Sequence, residues 1–360
     1  MRIGCGLLPA ILPELRAEWP QLRPFVVTDA NLRDHGHLAA LLGEQTAEAH
    51  VIDPPGEPSK TLRTVEAIIG QMERARFGRD TLVVALGGGT VGDVAGFAAA
   101  IFKRGVPCVQ VPTTTVAQAD SAIGGKVGVD SDLSKNAYGA FWHPARVYVD
   151  GDTLRTLDER HYRAGLVESV KHAMIADAAY FDYLEAHLGA LLARQSGVLL
   201  RLAERNSAIK GDVVFRDPEE AGLRRILNFG HTIGHAVETA SGYALLHGEA
   251  VAIGIVGACR IAERMGIASD EVRVRAADVF RRLGLPASTP PHVSDPQLLD
   301  IMTRDKKARG GTPRFVLLDA IGQVHAPGGS HAAEVPADVL QAALSDLRQI
   351  PCSPAQPKES

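Results

Sequence analysis

Three histidines and a glutamate carry the clearest chemistry in this sequence. His231 and His235 stand four residues apart in Asn228-Phe229-Gly230-His231-Thr232-Ile233-Gly234-His235, and His247 follows in Leu246-His247-Gly248-Glu249. A spacing of four places two imidazoles on one face of a helix. With Glu168 from an upstream segment, they offer the nitrogen and oxygen donors of a catalytic zinc site, in which one coordination position stays open for substrate. A single histidine on an apolar helix reads better as a core residue satisfied by hydrogen bonds. A cluster, in a chain that also carries a glycine-rich loop, reads as a metal centre.

That loop is Gly87-Gly88-Gly89-Thr90-Val91-Gly92-Asp93, between the apolar run Thr81-Leu82-Val83-Val84-Ala85-Leu86 and a helical stretch over 94–102. Glycines let a backbone approach a pyrophosphate, and a helix N-terminus presents N–H groups to it. The spacing is not the dinucleotide fingerprint with its acidic residue about twenty positions on. A tight turn needing positive φ is therefore the competing explanation. Asp29 and Asn31, after an earlier strand, suit a ribose or adenine but serve equally as turn formers or a helix cap.

Basic residues gather near a second glycine turn, Gly124-Gly125-Lys126, then Ser134-Lys135-Asn136. Arg104 precedes them, and Lys306-Lys307 lies far downstream. Ammonium groups beside glycine and asparagine suit an anionic ligand, whereas Lys306-Lys307 alone would read as solvated surface. Lys210, Arg224 and Arg225 border the histidine-rich helix. Arg224 and Asn228, four apart, are expected to share a helix face and to suit a carboxylate. The bland reading of Arg224 is a surface cation paired with Glu219 or Glu220.

The elements needed to position these groups follow from hydrophobic periodicity. Strands are expected at 24–29, 50–53, 81–86, 106–111 and 146–150, with a helix at 61–74 whose stripe is Val65, Ile68, Ile69 and Met72. Strands alternating with helices imply a mostly parallel sheet covered on both faces. Beyond residue 152 the pattern becomes helical, at 163–176, 179–192, 198–214, 248–265, 270–283 and 295–304. A late hairpin is expected from 314–318 and 323–325. The domains are therefore an α/β nucleotide-binding domain at 1–152, a mainly α-helical metal- and substrate-binding domain at 153–348, and a disordered tail at 349–360. The active site would lie in the cleft between the two domains.

Bulk properties narrow the function. The chain has 360 residues, 46% hydrophobic and 22% charged, with a formal net charge of −4. Such a balance gives no general attraction to nucleic acid or to an anionic membrane. The longest apolar run, 250–258, is broken by glycines and reads as a buried helix. Cys5, Cys108, Cys259 and Cys352 show no metal-binding spacing and read as reduced thiols. The N-terminus lacks the apolar core of a signal peptide. A cytoplasmic location is expected.

Several strings together resemble the 3-dehydroquinate synthase family of sugar-phosphate cyclases. They are Pro55-Gly56-Glu57-Pro58-Ser59-Lys60, the glycine loop, Val111-Pro112-Thr113-Thr114-Thr115, Asp120 through Lys126, Lys135-Asn136, Ala164-Gly165-Leu166-Val167-Glu168-Ser169-Val170-Lys171, Gly222-Leu223-Arg224, Asn228 through His235, His247-Gly248-Glu249-Ala250, and Asp305-Lys306-Lys307. The resemblance implies NAD and a divalent metal, zinc or cobalt, with Glu168, His231 and His247 as ligands and His235 as a neighbouring non-ligand. It implies NAD contacts at Asp29, Asn31, Glu57, Lys60, Gly88, Gly89, Asp93, Thr113, Thr114, Thr153 and Thr156, with Lys126 and Lys135 beside them. The substrate phosphate would meet Lys126, Asn136 and Lys306 or Lys307, and Arg104 would reach in from a second subunit of a homodimer. Lys171, His235, Asp120, Lys210, Glu220, Arg224 and Asn228 form the implied catalytic set, with Lys171, Lys210, Arg224 and Asn228 touching substrate. The implied reaction turns 3-deoxy-D-arabino-heptulosonate 7-phosphate into 3-dehydroquinate and phosphate, by transient oxidation with NAD, elimination, re-reduction and intramolecular aldol closure.

Three features depart from the family pattern. Only Met1-Arg2-Ile3 precedes the Gly4-Cys5-Gly6 turn, so either the edge strand is short or the true start lies upstream. Ser134 stands where glycine is usual, and His172 where tyrosine is common. The alternatives are an aminodehydroquinate synthase, another sugar-phosphate cyclase, and an NAD- and metal-dependent polyol dehydrogenase of the glycerol dehydrogenase type. Cyclases whose substrates lack a carboxylate have no need of Lys210, Arg224, Asn228 and His235 together. A dehydrogenase would need no phosphate clamp and would accumulate NADH.

Overall fold

A computed structural model of the chain describes residues 1–304 and 312–349. Two compact units are present: Met1–Asp158 with Arg194–Gly211, and Glu159–Ala193 with the described residues from Asp212 onward. The expected boundary at 152/153 is thus displaced, because the segment 194–211 packs with the first unit although its helical sequence resembles the second. Arg194 illustrates why: its guanidinium donates to the carbonyls of Leu154, at 2.8 Å, and Arg155, at 2.9 Å.

The first unit begins with β1 (Arg2–Gly4), α1 (Leu8–Glu18), β2 (Arg23–Asp29), α2 (Ala30–Asp34), α3 (His37–Leu42) and β3 (Glu48–Ile52). It continues through α4 (Leu62–Arg74), β4 (Thr81–Gly87), α5 (Gly89–Ile101), β5 (Cys108–Pro112), β6 (Lys126–Val129), β7 (Tyr138–Phe141) and β8 (Arg146–Asp150). Six strands pair in parallel in the order β1-β8-β5-β4-β2-β3. Every residue of β4 is buried, as expected for an inner parallel strand covered on both faces.

Strand alternation divides the core. Phe25, Val27, Val83 and Ala85 pack with Val65, Ile68 and Met72 of α4 and with α5. Val26, Leu82, Val84 and Leu86 pack on the opposite face with Leu8, Ile11, Leu12 and Leu15 of α1. Burying each of the larger of these side chains, the Val, Leu, Ile, Phe and Met residues, stabilises the unit by roughly 1.5–3 kcal/mol. The edge strand β1 is short, at 3 residues. The buried Asp150 carboxylate at the end of β8 accepts from the backbone N–H groups of Gly6, Leu7 and Leu8, at 2.9, 2.6 and 3.2 Å. It anchors the turn that so short a strand leaves weakly held.

The strand order reverses beside β2. After β2 the chain moves outward to β3, then returns to place β4 on the other side. In open α/β sheets ligands bind at the carboxyl ends of the strands flanking such a reversal. Asp29 ends β2 and Gly87 ends β4.

The second unit contains α6 (Glu159–Ala176), α7 (Ala178–Ala186), α8 (Leu188–Leu192), the end of α9 (Ser196–Arg216), α10 (His231–Ala240), α11 (His247–Arg264), α12 (Asp270–Arg282), α13 (Asp295–Arg304) and α14 (Ala337–Gln349). Short strands are β9 (Arg314–Phe315), β10 (Leu318–Ala320), β11 (Gln323–Val324) and β12 (Ala333–Glu334). The expected hairpin is only half formed. β10 pairs with β11, whereas Arg314 and Phe315 pair with Glu334 and Ala333. The expected helix at 179–192 is two helices, α7 and α8. Lys306, Lys307 and the tail beyond 349 lie outside the described residues.

Gly248 sets the spacing of α6 and α11, since a Cβ there would lie 1.9 Å from the Ala164 carbonyl oxygen. No larger residue permits that approach, which brings the helices carrying Glu168 and His247 together. No helix among the described residues is long and apolar enough to cross a membrane.

Candidate functional site

In the first unit the glycine loop runs from the end of β4 into α5. None of Gly87, Gly88, Gly89 and Gly92 has positive φ, so a left-handed turn does not account for them. Close approach does. A Cβ on Gly87 would lie 2.3 Å from Val91 Cβ, and one on Gly88 would lie 2.8 Å from Thr114 Cγ2. The loop is a bare backbone cradle at a helix N-terminus, at the sheet's reversal point.

The charges around it are paired. Lys60 Nζ lies 2.7 Å from Asp93 Oδ2, with both side chains largely buried. Burial pushes the Asp93 carboxyl above the ordinary aspartate range, opposed by the Lys60 ammonium. Lys135 Nζ lies 3.4 Å from Glu57 Oε1, and Thr90 Oγ1 donates to Glu57 Oε2 at 3.4 Å. Asp29 caps α2, accepting from the Leu32 N–H at 3.0 Å. Asn31 uses its carbonyl oxygen as partner to His35 Nδ1, at 2.7 Å. The Ala117 N–H donates to Thr114 Oγ1 at 3.1 Å, and the Thr113 N–H donates to the Gly87 carbonyl at 3.0 Å. Thr153 is committed internally, donating to the Asp150 carbonyl at 2.7 Å and accepting from Gln118 Nε2 at 3.1 Å. Thr156 Oγ1 meets His37 Nε2 at 2.6 Å.

Asp120 and Lys210 also meet in this unit, with Nζ 2.6 Å from Oδ1. Lys210 thus has the Asp120 carboxylate as an ion-pair partner within this unit. Lys126 opens β6 and is exposed, and Asn136 has φ +51° with its N–H bound to Asp130 Oδ1 at 2.6 Å. Arg104 is exposed at φ +68°.

In the second unit α6, α10 and α11 assemble the histidine cluster. Ring centroids of His231 and His235 lie 5.3 Å apart, those of His231 and His247 5.3 Å, and those of His235 and His247 5.7 Å. One nitrogen from each ring lies within 4.8 Å of those of the others. Glu168 Oε1 is 3.9 Å from Nε2 of both His231 and His247.

The donor chemistry fits a cation. His231 Nδ1 is held by the Phe229 carbonyl at 3.0 Å, and His247 Nδ1 by Glu238 Oε2 at 3.1 Å. Both contacts favour a proton on Nδ1 and direct the Nε2 lone pair toward Glu168. Both Glu168 oxygens are buried and accept no hydrogen bond among the described residues. The Lys171 ammonium, also buried, is its ion-pair partner on α6. Lys171 engages Oε2, which leaves the buried Oε1, facing the two Nε2 atoms, as the oxygen a bound cation would satisfy. Burial alone opposes charge on the His247 ring, but the hydrogen bond with Glu238 and the charge of Glu168 outweigh it and raise its pKa. The cluster favours positive charge where a metal would sit.

Arg224 and Asn228 do not share an α-helical face. Leu223–Asn228 is a 3-10 helix, in which residues three apart eclipse and residues four apart diverge. Arg224 is no surface cation either: it is 3% exposed and donates to the Pro218 carbonyl at 2.6 Å. Asn228 Nδ2 donates to Glu220 Oε1 at 2.9 Å. Sequence reasoning missed the organiser of this turn. The Asp217 carboxylate accepts from the N–H groups of Ala221, Gly222 and Arg224, each at 2.8 Å. Its signal was an aspartate just upstream of a glycine turn. Glu238 was also missed, although it lies seven residues after His231 on one helix face.

Residues 50–164 match the family model described as 3-dehydroquinate synthase N-terminal, and residues 165–308 match the one described as 3-dehydroquinate synthase C-terminal. A 3-dehydroquinate synthase of Symbiobacterium thermophilum is 43% identical over 327 residues, covering 89% of this chain and 91% of the relative. Among solved structures, a 2-epi-5-epi-valiolone synthase of Streptomyces hygroscopicus subsp. jinggangensis, with NAD+ and Zn2+ bound, is 32% identical with TM-score 0.85 over 96% of this chain and 95% of its own. A 2-deoxy-scyllo-inosose synthase, complexed with carbaglucose-6-phosphate, NAD+ and Co2+, is 26% identical with TM-score 0.86 over 96% of each chain.

Proposed function

Because the chain belongs to the 3-dehydroquinate synthase family, we propose that it converts 3-deoxy-D-arabino-heptulosonate 7-phosphate to 3-dehydroquinate and phosphate. It is an enzyme of the carbon–oxygen lyase class, and NAD is restored within each turnover. The observation that carries the reading is the buried Oε1 of Glu168, which accepts no hydrogen bond among the described residues and lies 3.9 Å from Nε2 of both His231 and His247.

Bound metal and NAD supply a Lewis acid and a reversible hydride acceptor. The chain's own residues bind and orient. Glu168, His231 and His247 hold the divalent cation, zinc or cobalt, and His235 stands beside them as a hydrogen-bonding group. The cradle at Gly88 and Gly89 takes the pyrophosphate of NAD. Glu57, Lys60, Asp93, Thr113, Thr114, Lys135, Thr153 and Thr156 surround the cofactor, with Asp29 and Asn31 on the nucleoside. Lys126 and Asn136 bind the substrate phosphate, joined by Lys306 or Lys307. Lys171 and Asp120 meet substrate hydroxyls. Lys210, Arg224 and Asn228, with Glu220 supporting Asn228, meet the carboxylate. The buried Arg224 fork suits a carboxylate, which supports this substrate over cyclase substrates that lack one.

The enzyme works as a homodimer in which Arg104 of one subunit reaches the phosphate bound by the other. Its location is the cytoplasm, supported by the unpaired thiols of Cys5, Cys108 and Cys259. The test supplies heptulosonate phosphate and follows phosphate release together with absorbance of NADH. Phosphate and dehydroquinate without net NADH are expected. NADH accumulating from a simple polyol, with no phosphate released from the sugar phosphate, would overturn the proposal.

A further inference from the structure

We propose that Glu238 is a positioning residue for the metal centre, acting through His247. The inference rests on the assignment of His247 as a ligand and goes beyond it, since Glu238 touches neither metal nor substrate in that scheme. Its carboxylate Oε2 lies 3.1 Å from His247 Nδ1, and the residue is only 8% exposed.

His247 has two sources of freedom, its backbone and its ring. The backbone is fixed at the start of α11. The Leu246 N–H donates to Glu249 Oε2 at 2.8 Å, and Arg160 grips the same carboxylate with two bonds of 2.7 Å, Nε to Oε1 and Nη2 to Oε2. Arg160 also donates to the Ala244 carbonyl at 2.9 Å. That clamp joins the start of α6 to the start of α11, but it does not touch the imidazole. Left to itself, the ring can rotate about its side-chain bonds and can carry its proton on either nitrogen.

Glu238 removes both freedoms. It is a pure acceptor when ionised, so its partner Nδ1 must be the donor. The Nε2 lone pair is then the one turned toward Glu168. The negative charge behind the ring also increases electron density at Nε2 and strengthens it as a donor to a cation. His231 is treated differently: its Nδ1 faces the neutral Phe229 carbonyl. His247 is therefore a ligand whose strength the protein adjusts with a charge.

The test strips metal from the native chain and from Glu238→Gln, Glu238→Ala and His231→Ala, then titrates each with Co2+ while recording visible absorption. Glu238→Ala should bind roughly ten- to a hundredfold more weakly than native. Glu238→Gln keeps an acceptor but loses the charge, so it should show a smaller loss with a displaced cobalt band. The metal-free melting temperatures should stay together, which separates positioning from simple packing. Native affinity and a native spectrum in both Glu238 variants, with binding lost only in His231→Ala, would overturn this inference alone. Failure of the native chain to bind cobalt would overturn the metal assignment and this inference with it. A measurement on the unaltered protein guards against misfolded variants. In the zinc-loaded native enzyme, nitrogen NMR should show His247 coordinated through Nε2 with its proton on Nδ1, and the reverse assignment would refute the role.

Discussion

The glycine loop of the first unit and the histidine cluster of the second are both built by close approach, yet they are left in opposite electrostatic conditions. Around the loop, Lys60 pairs with Asp93 and Lys135 with Glu57. Its shape comes from missing Cβ atoms, and its charges are balanced by partners in the same unit. In the cluster, Lys171 pairs with Glu168 Oε2, but the buried Oε1 accepts no hydrogen bond among the described residues and faces Nε2 of both His231 and His247. The difference separates two ways of preparing a site. A cradle for a large cofactor is finished by sterics and can stand alone. A metal centre is left incomplete, so that a cation supplies what the protein withholds.

The largest effect should follow from breaking the incomplete side. His231→Ala should lower turnover by more than about a thousandfold, equivalent to several kcal/mol of lost transition-state stabilisation. Metal content should fall with it while the circular dichroism stays native. Full activity in a metal-free variant would contradict the ligand assignment. On the other side, Lys126→Ala should raise KM for the phosphate substrate about ten- to a hundredfold, the worth of one or two charge-assisted bonds. NAD affinity should change far less, and equal losses for both ligands would argue against a phosphate role.

Gly88→Ala should act on the cofactor side by a similar amount or less. Its Cβ would sit 2.8 Å from Thr114 Cγ2, and relieving such a contact costs roughly 1–3 kcal/mol. Weaker NAD binding, measured by fluorescence titration, with unchanged cobalt affinity would show that the two sites are prepared independently. Coupled losses would show that they are not.

The smallest effect concerns Asp217. Its carboxyl is held below the usual aspartate range by the Arg224 N–H first, then by those of Gly222 and Ala221. Such a group stabilises the fold fully above its unfolded pKa, about 3.9, and loses that contribution as pH falls through the lower folded value. Asp217→Asn should therefore melt below native at pH 7, and the gap should narrow as the solution is acidified below pH ~4. A gap that widened on acidification would contradict the assignment.

Much of this architecture was legible beforehand, for identifiable reasons. Fully apolar β4 and the stripe of α4 reflect burial patterns that neighbouring residues already encode. The hairpin of β6 and β7 was not legible, because Gly128 and Gly139 interrupt its apolar pattern at the points where the two backbones meet. The run at 314–318 concealed two strands with different partners, since periodicity does not name a partner. The segment 194–211 read as part of the helical half, because helical sequence does not encode which sheet a helix will cover.

For the site, the identity of the donors was written locally: His231 and His235 one helical turn apart, the glycines after β4, and Glu168 three residues before Lys171. Their meaning was decided by tertiary structure. Only the folded chain shows that the loop glycines serve proximity rather than positive φ, and that Arg224 is buried while Asn228 turns to Glu220. Only it shows that Glu238 stands behind His247. Short-range sterics and side-chain chemistry act between residues close in sequence and can be read there. Burial, hydrogen-bond partnership and charge pairing depend on which distant segments meet, and that is settled when the cores of the two units form.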